Sequence, residues 1–361
     1  MSKMKKLMVE TIEDLLQENN EVLAEDYYSL GESIYDQFDI NAHKKGQGYS
    51  CPDFPVLNAK LEGLEEGLYI FAGESNSGKT AIMTNILWSF CKNKDNKLFG
   101  VYYSLDDNTD EVIPRLIAMN QCIPISVGSK PNRYITYIEE HENSDNAEDA
   151  AMVNVYKSYL EKRQEGLDEL RASNKEFLIL DRSSVKNIDQ LLDHAKKVQS
   201  YVKSFDEDNN IIIAIDSLAD LSIDKKFNTD KERIDYVAMK IKEAANCDLK
   251  IPILTSYHVR KLNHQGRPTL DDIKESSRIV YEASVAFLVF NDVSKNKQAA
   301  SVYYTSPEDS EKHPVIELDF AKNKKSSYKG RTYHYFRPDF SLVREVSLEE
   351  MKKYDARVYA K

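Results

Sequence analysis

Gly73-Glu74-Ser75-Asn76-Ser77-Gly78-Lys79-Thr80 is the stretch that decides the fold. It fits the pattern GxxxxGK[ST], in which successive backbone N–H groups wrap a phosphate and a helix N-terminus adds partial positive charge. The apolar run at residues 68–72 before it reads as a buried strand. Residues 80–91 after it have helical periodicity. In that setting Lys79 reaches the β- and γ-phosphates and the Thr80 hydroxyl ligates Mg²⁺. Gly78 lets the backbone approach the phosphate closely. The stretch therefore predicts a nucleoside triphosphate site using Mg²⁺.

Outward from it, strand and helix alternate. Residues 99–105, 177–180, 211–215 and 251–256 read as strands, and residues 110–120, 150–173, 187–205 and 233–246 as helices. Residues 211–215 are isoleucine and alanine only, the composition of a central parallel strand buried on both faces. Residues 285–290, 301–305, 315–320 and 332–336 read as later strands without long helices between them. The fold class expected is α/β: a mostly parallel sheet flanked by helices, with antiparallel C-terminal strands and a short helical N-terminal extension. Residues 143–149 read as an exposed acidic loop, and no internal repeat is found. Residues 8–30 place Ile12, Leu15, Leu16, Val22 and Leu23 at roughly helical spacing, ahead of a polar linker at 43–50. That helix is either a packed appendage or an arm that docks on a neighbouring subunit. The organisation expected is extension and linker at 1–50, body at 51–346 and tail at 347–361.

Composition narrows the class. Of 361 residues, 41% are hydrophobic and 30% charged, which suits a globular body, and no run of about 18 apolar residues crosses a membrane. The N-terminus lacks the apolar stretch of a signal peptide. Cys51, Cys91, Cys122 and Cys247 form no CxxC pair, which disfavours a zinc ribbon and suits a reducing cytoplasm. A net charge of −11 excludes a surface coated for nucleic acid but allows a local basic patch. Lys322, Lys324, Lys325, Lys329 and Arg331 form such a run with no acid among them. It is either a solvated turn or a phosphate contact.

Two acidic positions complete the candidate site. Asp216 directly follows the strand at 211–215, where a second Mg²⁺ ligand is expected. Asp106 and Asp107 end the strand at 99–105, and ligands of parallel sheets gather at such carboxyl ends. Asp106 is the first candidate for the base that orients water, with Glu74 the weaker one.

The blocks resemble, in order, the RecA-like domain of DnaB-type replicative helicases. The entry segment with Leu61-Glu62-Gly63-Leu64 and Gly67-Leu68-Tyr69-Ile70 leads into the P-loop. Tyr103-Ser104-Leu105-Asp106-Asp107 resembles the motif bearing that family's catalytic glutamate, and Ile213-Ala214-Ile215-Asp216-Ser217-Leu218 its Walker B. Pro252-Ile253-Leu254-Thr255-Ser256-Tyr257-His258 resembles the sensor strand, Gly266-Arg267-Pro268 and Asp272-Ile273-Lys274-Glu275 the DNA-facing motif, and Ala321-Lys322-Asn323-Lys324 the strand that reaches a neighbour. The sensor histidine and the GRP run are more similar to the phage primase-helicase and Twinkle branch than to bacterial DnaB.

The resemblance implies an ATP-driven ring, hexameric in the family, that hydrolyses nucleotide at subunit interfaces and translocates on single-stranded DNA, with a primase or loader as possible partner. It implies that His258, or Tyr257 by a one-residue shift, senses the γ-phosphate. Lys322 and Lys324 would enter a neighbour's site as piston and finger, and Lys274 and Arg278 would contact DNA. Asp106 stands where the family has glutamate, and Lys324 where arginine is usual, with Arg331 a substitute if the strand is shifted. Only about fifty residues precede the RecA-like body, so the large N-terminal domain of the bacterial proteins is expected to be missing. A RecA-type recombinase filament, or a weakly catalytic helicase-like assembly partner, would use the same blocks.

Overall fold

The structure, a computed structural model, describes residues 48–173, 176–185, 187–262, 266–273, 277–306 and 310–359, together with 35, 36 and 39. The chain divides into two units, Met1–Gly48 and Tyr49–Lys361. The helix expected at 8–30, most of the linker at 43–50, and Lys274 lie outside the described residues.

The second unit is built on one sheet. Its strands are β1 (Gly67–Gly73), β2 (Leu98–Ser104), β3 (Phe177–Asp181), β4 (Asn210–Asp216), β5 (Pro252–His258), β6 (Val285–Asn291), β7 (Tyr303–Tyr304), β8 (His313–Asn323), β9 (Arg331–Arg337) and β10 (Leu342–Glu345). The order is β10-β9-β8-β6-β1-β5-β4-β2-β3, with β7 on β8. From β6 to β3 every pairing is parallel, and β8, β9 and β10 add antiparallel strands beside β6. This is the expected α/β class.

Helices α1 (Pro55–Leu61), α2 (Lys79–Lys92), α3 (Thr109–Gln121), α4 (Ile125–Ser129), α5 (Pro131–His141), α6 (Ala147–Ala172), α7 (Ile188–Lys203), α8 (Asp230–Glu243), α9 (Ser277–Glu282), α10 (Asp292–Lys295) and α11 (Leu348–Tyr359) surround it. The strand period of two sorts β1 between two cores. Leu68, Ile70 and Ala72 pack with Ile188 and Leu191 of α7 and Ile234 and Val237 of α8. Tyr69 and Phe71 pack with Ile82, Ile86 and Phe90 of α2. Full burial of each such side chain stabilises the fold by about 1.5–3 kcal/mol, which holds both ends of the P-loop on fixed elements. Farther off, Glu345 of β10 accepts the free N–H groups of Val56 (2.6 Å) and Leu57 (2.8 Å) and so caps α1.

Several local expectations are corrected. Residues 147–149 are the first turn of α6, because Asn146 accepts the Glu148 N–H as its N-cap. The strand expected at 301–305 shrinks to Tyr303–Tyr304. Helices α4 and α5, unread in the sequence, join α3 and α6 around Ile117, Ile123, Val127 and Tyr134. The expected tail contains a helix, α11, which buries Met351 and Tyr354.

Candidate nucleotide site

The P-loop leaves β1 and turns sharply into α2. Gly78 takes φ +94°, a left-handed conformation, and a Cβ there would lie 2.5 Å from Ile316 Cδ1. The backbone conformation calls for glycine, and Ile316 would have to move for any larger residue. The loop opens into a cavity of about 690 Å³. Ser75, Asn76, Gly78, Lys79 and Thr80 line it together with Asp106, Asp216 and His258.

Asp216 is fixed by three hydroxyl groups. Thr80 Oγ1 donates to Oδ2 at 2.7 Å, Tyr102 donates to the same oxygen at 2.9 Å, and Ser256 donates to Oδ1. A hydroxyl and a carboxylate this close are hard oxygen donors suited to Mg²⁺. The expected Mg²⁺ pair therefore fits the group, and α2 presents its free N–H groups beside it.

Lys79 is buried, and its Nζ donates to the Glu74 carbonyl at 2.7 Å. Burial pushes its pKa down to about 8, against the opposing pull of Asp216, Asp106 and Glu74. A polyphosphate brings negative charge that favours the ammonium form. Nucleotide binding at pH 8 should therefore take up about half a proton per site. Calorimetry in buffers of different ionisation enthalpy measures this, and release of protons would contradict the assignment. The sign for the protein alone follows from the same shift: the folded state holds this proton less tightly than the unfolded chain. Lys79 therefore adds stability as pH rises from about 8 towards its ordinary value of 10.5.

Asp106 and Asp107 part company. The Leu105 and Asp106 N–H groups donate to the Asp216 carbonyl, which sets the turn after β2. Asp107 pairs with Arg115, one side of a cavity wall. Asp106 stays exposed in the cavity, its carboxyl pKa raised by partial burial and by the nearby acids Asp220, Asp107 and Asp216. His258 shares the cavity, and burial and Lys79 lower its pKa against the opposing pull of Asp106, Asp220 and Asp216, which favours the neutral ring. Tyr257 points to the opposite face of β5 and is buried in the core, which leaves His258 as the sensor candidate.

Other candidates lie elsewhere. The Glu74 carboxylate turns away from the cavity: Lys295 Nζ binds it at 2.5 Å and the Leu262 N–H at 3.0 Å. Arg331, read as a substitute finger if the strand is shifted, is engaged by Asp319 at 3.0 Å and Glu317 at 3.6 Å. Arg267, read as part of a DNA-facing motif, makes a bidentate pair with Glu317, both bonds 2.6 Å. Arg278 is half-exposed beside Glu282. Lys322 donates to the carbonyls of Val280 (2.6 Å) and Tyr281 (2.7 Å), capping the end of α9. Burial and the charge of Lys324 lower the Lys322 pKa to about 8. Lys324 is exposed, its Nζ 5.7 Å from the Tyr281 ring centroid.

Register places these lysines away from the chain's own P-loop. The Lys324 N–H donates to the Ser284 carbonyl, and the Ser284 N–H donates to the Leu68 carbonyl. Leu68 precedes Gly73 by five residues, which at 3.3 Å per residue is about 16 Å along β1. The antiparallel strands bring other residues to the cavity that the sequence did not announce. Pro314, Phe336, Pro338 and Ser341 also line it, with Phe336 packed close to Gly78.

This sheet order, P-loop and carboxylate pair define a P-loop NTPase of the RecA-like class. The model of the DnaB-like helicase C-terminal domain family matches residues 51–341, and the chain belongs to that family. It is similar to a solved ATPase domain, with TM-score 0.64 and 17% identity over 88% of this chain and 99% of that one. It is also similar to a DnaB-like replicative helicase described with its interactions with primase, with TM-score 0.61 and 17% identity over 91% of this chain and 68% of that one. At that identity the structural likeness is one of fold. No curated protein matches the chain.

Proposed function

We propose that this chain is an ATP-driven DNA helicase that assembles as a ring, hexameric as in the resembling family, and translocates on single-stranded DNA. The observation that carries this is the division of the site. Lys79, Thr80, Asp106, Asp216 and His258 share one cavity, while Lys322 and Lys324 stand at another level of the sheet. The only arginine in that cavity wall among the described residues, Arg115, is paired with Asp107. A cation for the transferred phosphate is therefore best supplied by a neighbour's Lys324 and Lys322.

Within the site, Thr80 and Asp216 would hold Mg²⁺, which would supply charge neutralisation for the bound phosphates. The P-loop N–H groups and Lys79 bind and orient the phosphates. Asp106 positions water and accepts its proton, and its raised pKa moves it towards the range of an effective base. His258 donates to a γ-phosphate oxygen. Phe336 and Pro338 face the base. Lys274 and Arg278 are the proposed DNA contacts, and a primase or loader is a proposed partner, since the DnaB-like helicase cited above interacts with primase.

The test is ATP hydrolysis with and without single-stranded DNA, on a sample whose particle mass and shape are measured with a non-hydrolysable ATP analogue. Stimulation by DNA with closed rings is expected. Helical filaments would favour a recombinase, and an assembled protein without stimulation would count against the helicase. Asp106→Glu tests the shorter carboxylate. A fall in kcat of about tenfold is expected if Asp106 is fitted to its cavity, whereas a sharp rise would mark a detuned site.

A further inference from the structure

The P-loop is tied to the segment that follows β5 at two points and to the helix that follows β6 at a third. The Val259 N–H donates to the Gly73 carbonyl at 3.2 Å, and the Leu262 N–H donates to Glu74 Oε1 at 3.0 Å. Glu74 Oε2 is held by Lys295 Nζ at 2.5 Å. Both side chains of that ion pair are about four-fifths buried, at 21% exposure for Lys295 and 19% for Glu74. Charge-assisted bonds of this kind are short, directional and stronger than neutral ones. Lys295 closes α10, which begins where β6 ends at Asn291, and Asn291 itself lines the nucleotide cavity. One carboxylate thus joins the first turn of the P-loop, the end of β6 and the chain leaving His258.

We propose that the Glu74–Lys295 pair is a latch that transmits movement of the segment after β5 to the P-loop, and that Lys295 is a positioning residue for DNA-stimulated hydrolysis. This rests on the helicase reading above, in which the chain beyond Leu262 leads to the DNA contacts. The second position of a GxxxxGK[ST] loop needs no particular side chain for phosphate binding, because the backbone does that work. A largely buried acid there that reaches away from the phosphates, onto a lysine 221 residues farther on, calls for another role. With the pair intact, the Glu74 carboxylate is fixed between the Leu262 N–H and Lys295, so a shift of Leu262 bears on the P-loop backbone. With the pair broken, the Glu74 side chain alone can swing with Leu262 while the phosphate cradle stays where it is.

The experiment uses the full chain and compares wild type, Lys295→Met and Lys295→Arg. ATPase rates are measured with and without oligothymidylate, and affinity for a non-hydrolysable ATP analogue is measured by fluorescence titration. Lys295→Met should lose at least fivefold in the ratio of stimulated to basal rate, with analogue affinity within twofold of wild type. Lys295→Arg, which keeps the charge and can re-form the pair, should recover most of the ratio. A purely structural role would lower the melting temperature and the active fraction but leave the ratio per folded chain unmoved. An unchanged ratio in Lys295→Met overturns the latch, as does failure of Lys295→Arg to recover it. If Lys295→Met folds poorly, Glu74→Gln puts the same question, since its amide oxygen still accepts from Leu262 while the charge pair is gone; a wild-type ratio there also overturns it. A wild type that DNA does not stimulate would instead defeat the helicase reading itself.

Discussion

Lys79→Ala is expected to lower nucleotide hydrolysis by about 10²–10³-fold, the usual cost of removing one preorganised charge from a developing anion. Lys79 is the buried cation of the P-loop, and Asp216, Asp106 and Glu74 are the acids whose charge acts on it. Its loss removes the proposed phosphate contact and leaves the Asp216 and Asp106 carboxylates facing the incoming anion. Binding should weaken as well, because ground-state and transition-state charge are both affected. Steady-state ATPase on a protein checked for native melting measures the effect. A rate within tenfold of wild type would overturn the site.

The second large effect concerns stability. Arg267 holds Glu317, whose side chain is 1% exposed in the middle of β8. Removing one partner of a buried pair leaves an uncompensated charge, at a typical cost of 3–5 kcal/mol. Arg331 remains 3.6 Å from the same carboxylate, so Arg267→Met should fall at the low end, about 3 kcal/mol. In a body of this size that is a drop in melting temperature of roughly 5–10 °C. The pH dependence has a definite sign. Burial raises the Glu317 pKa despite the opposing pull of Arg267, and loss of the guanidinium raises it further. A carboxyl whose folded pKa is raised stabilises below its unfolded value and loses that contribution as pH rises through the folded value. The deficit of Arg267→Met should therefore be largest at neutral pH and shrink as the solution is acidified. A deficit independent of pH would mean that the carboxylate finds another partner.

The sequence discloses those parts of the site that are contiguous in the chain. The loop at 73–80, the strand ending at Asp216 and the turn at Asp106 each carry a local pattern, because strand, turn and helix cap are local events. What it conceals depends on distant pairing. Phe336 and Pro338 reach the cavity only because β8 and β9 stack beside β6, a register that composition does not express. Arg267 sits in a segment that resembles a DNA-facing motif, yet it turns inward to Glu317. The hint is a carboxylate flanked by Ile316 and Leu318 in the middle of β8, a position that calls for a cation when it is buried. Glu74 reads as a candidate base because it lies within the P-loop, and only the position of Lys295 shows which way it points. The start of α6 escapes the sequence reading for a different reason. Asn143–Asp149 is polar at every position but Ala147 and so resembles a loop, but Asn146 followed by Glu148 and Asp149 is a helix start, a capping signal that the run of charge masks.

The levels at which β1 and β8 present their functional ends give the molecule a direction. A contact that joins the Lys324 level of one copy to the P-loop cavity of the next uses two different surfaces, so it cannot be made by two-fold pairing. Such head-to-tail contacts either close by rotation or run on without end. Under the proposed arrangement, every Lys79→Ala copy in a mixed assembly would spoil its own pocket, while every Lys324→Ala copy would spoil the pocket next door. Equal mixtures of the two defective proteins should therefore regain measurable turnover, since some junctions then pair an intact pocket with an intact lysine. Neither protein alone offers such a junction. Recovery on mixing would reveal the sense in which the copies are strung together without any image of the particle.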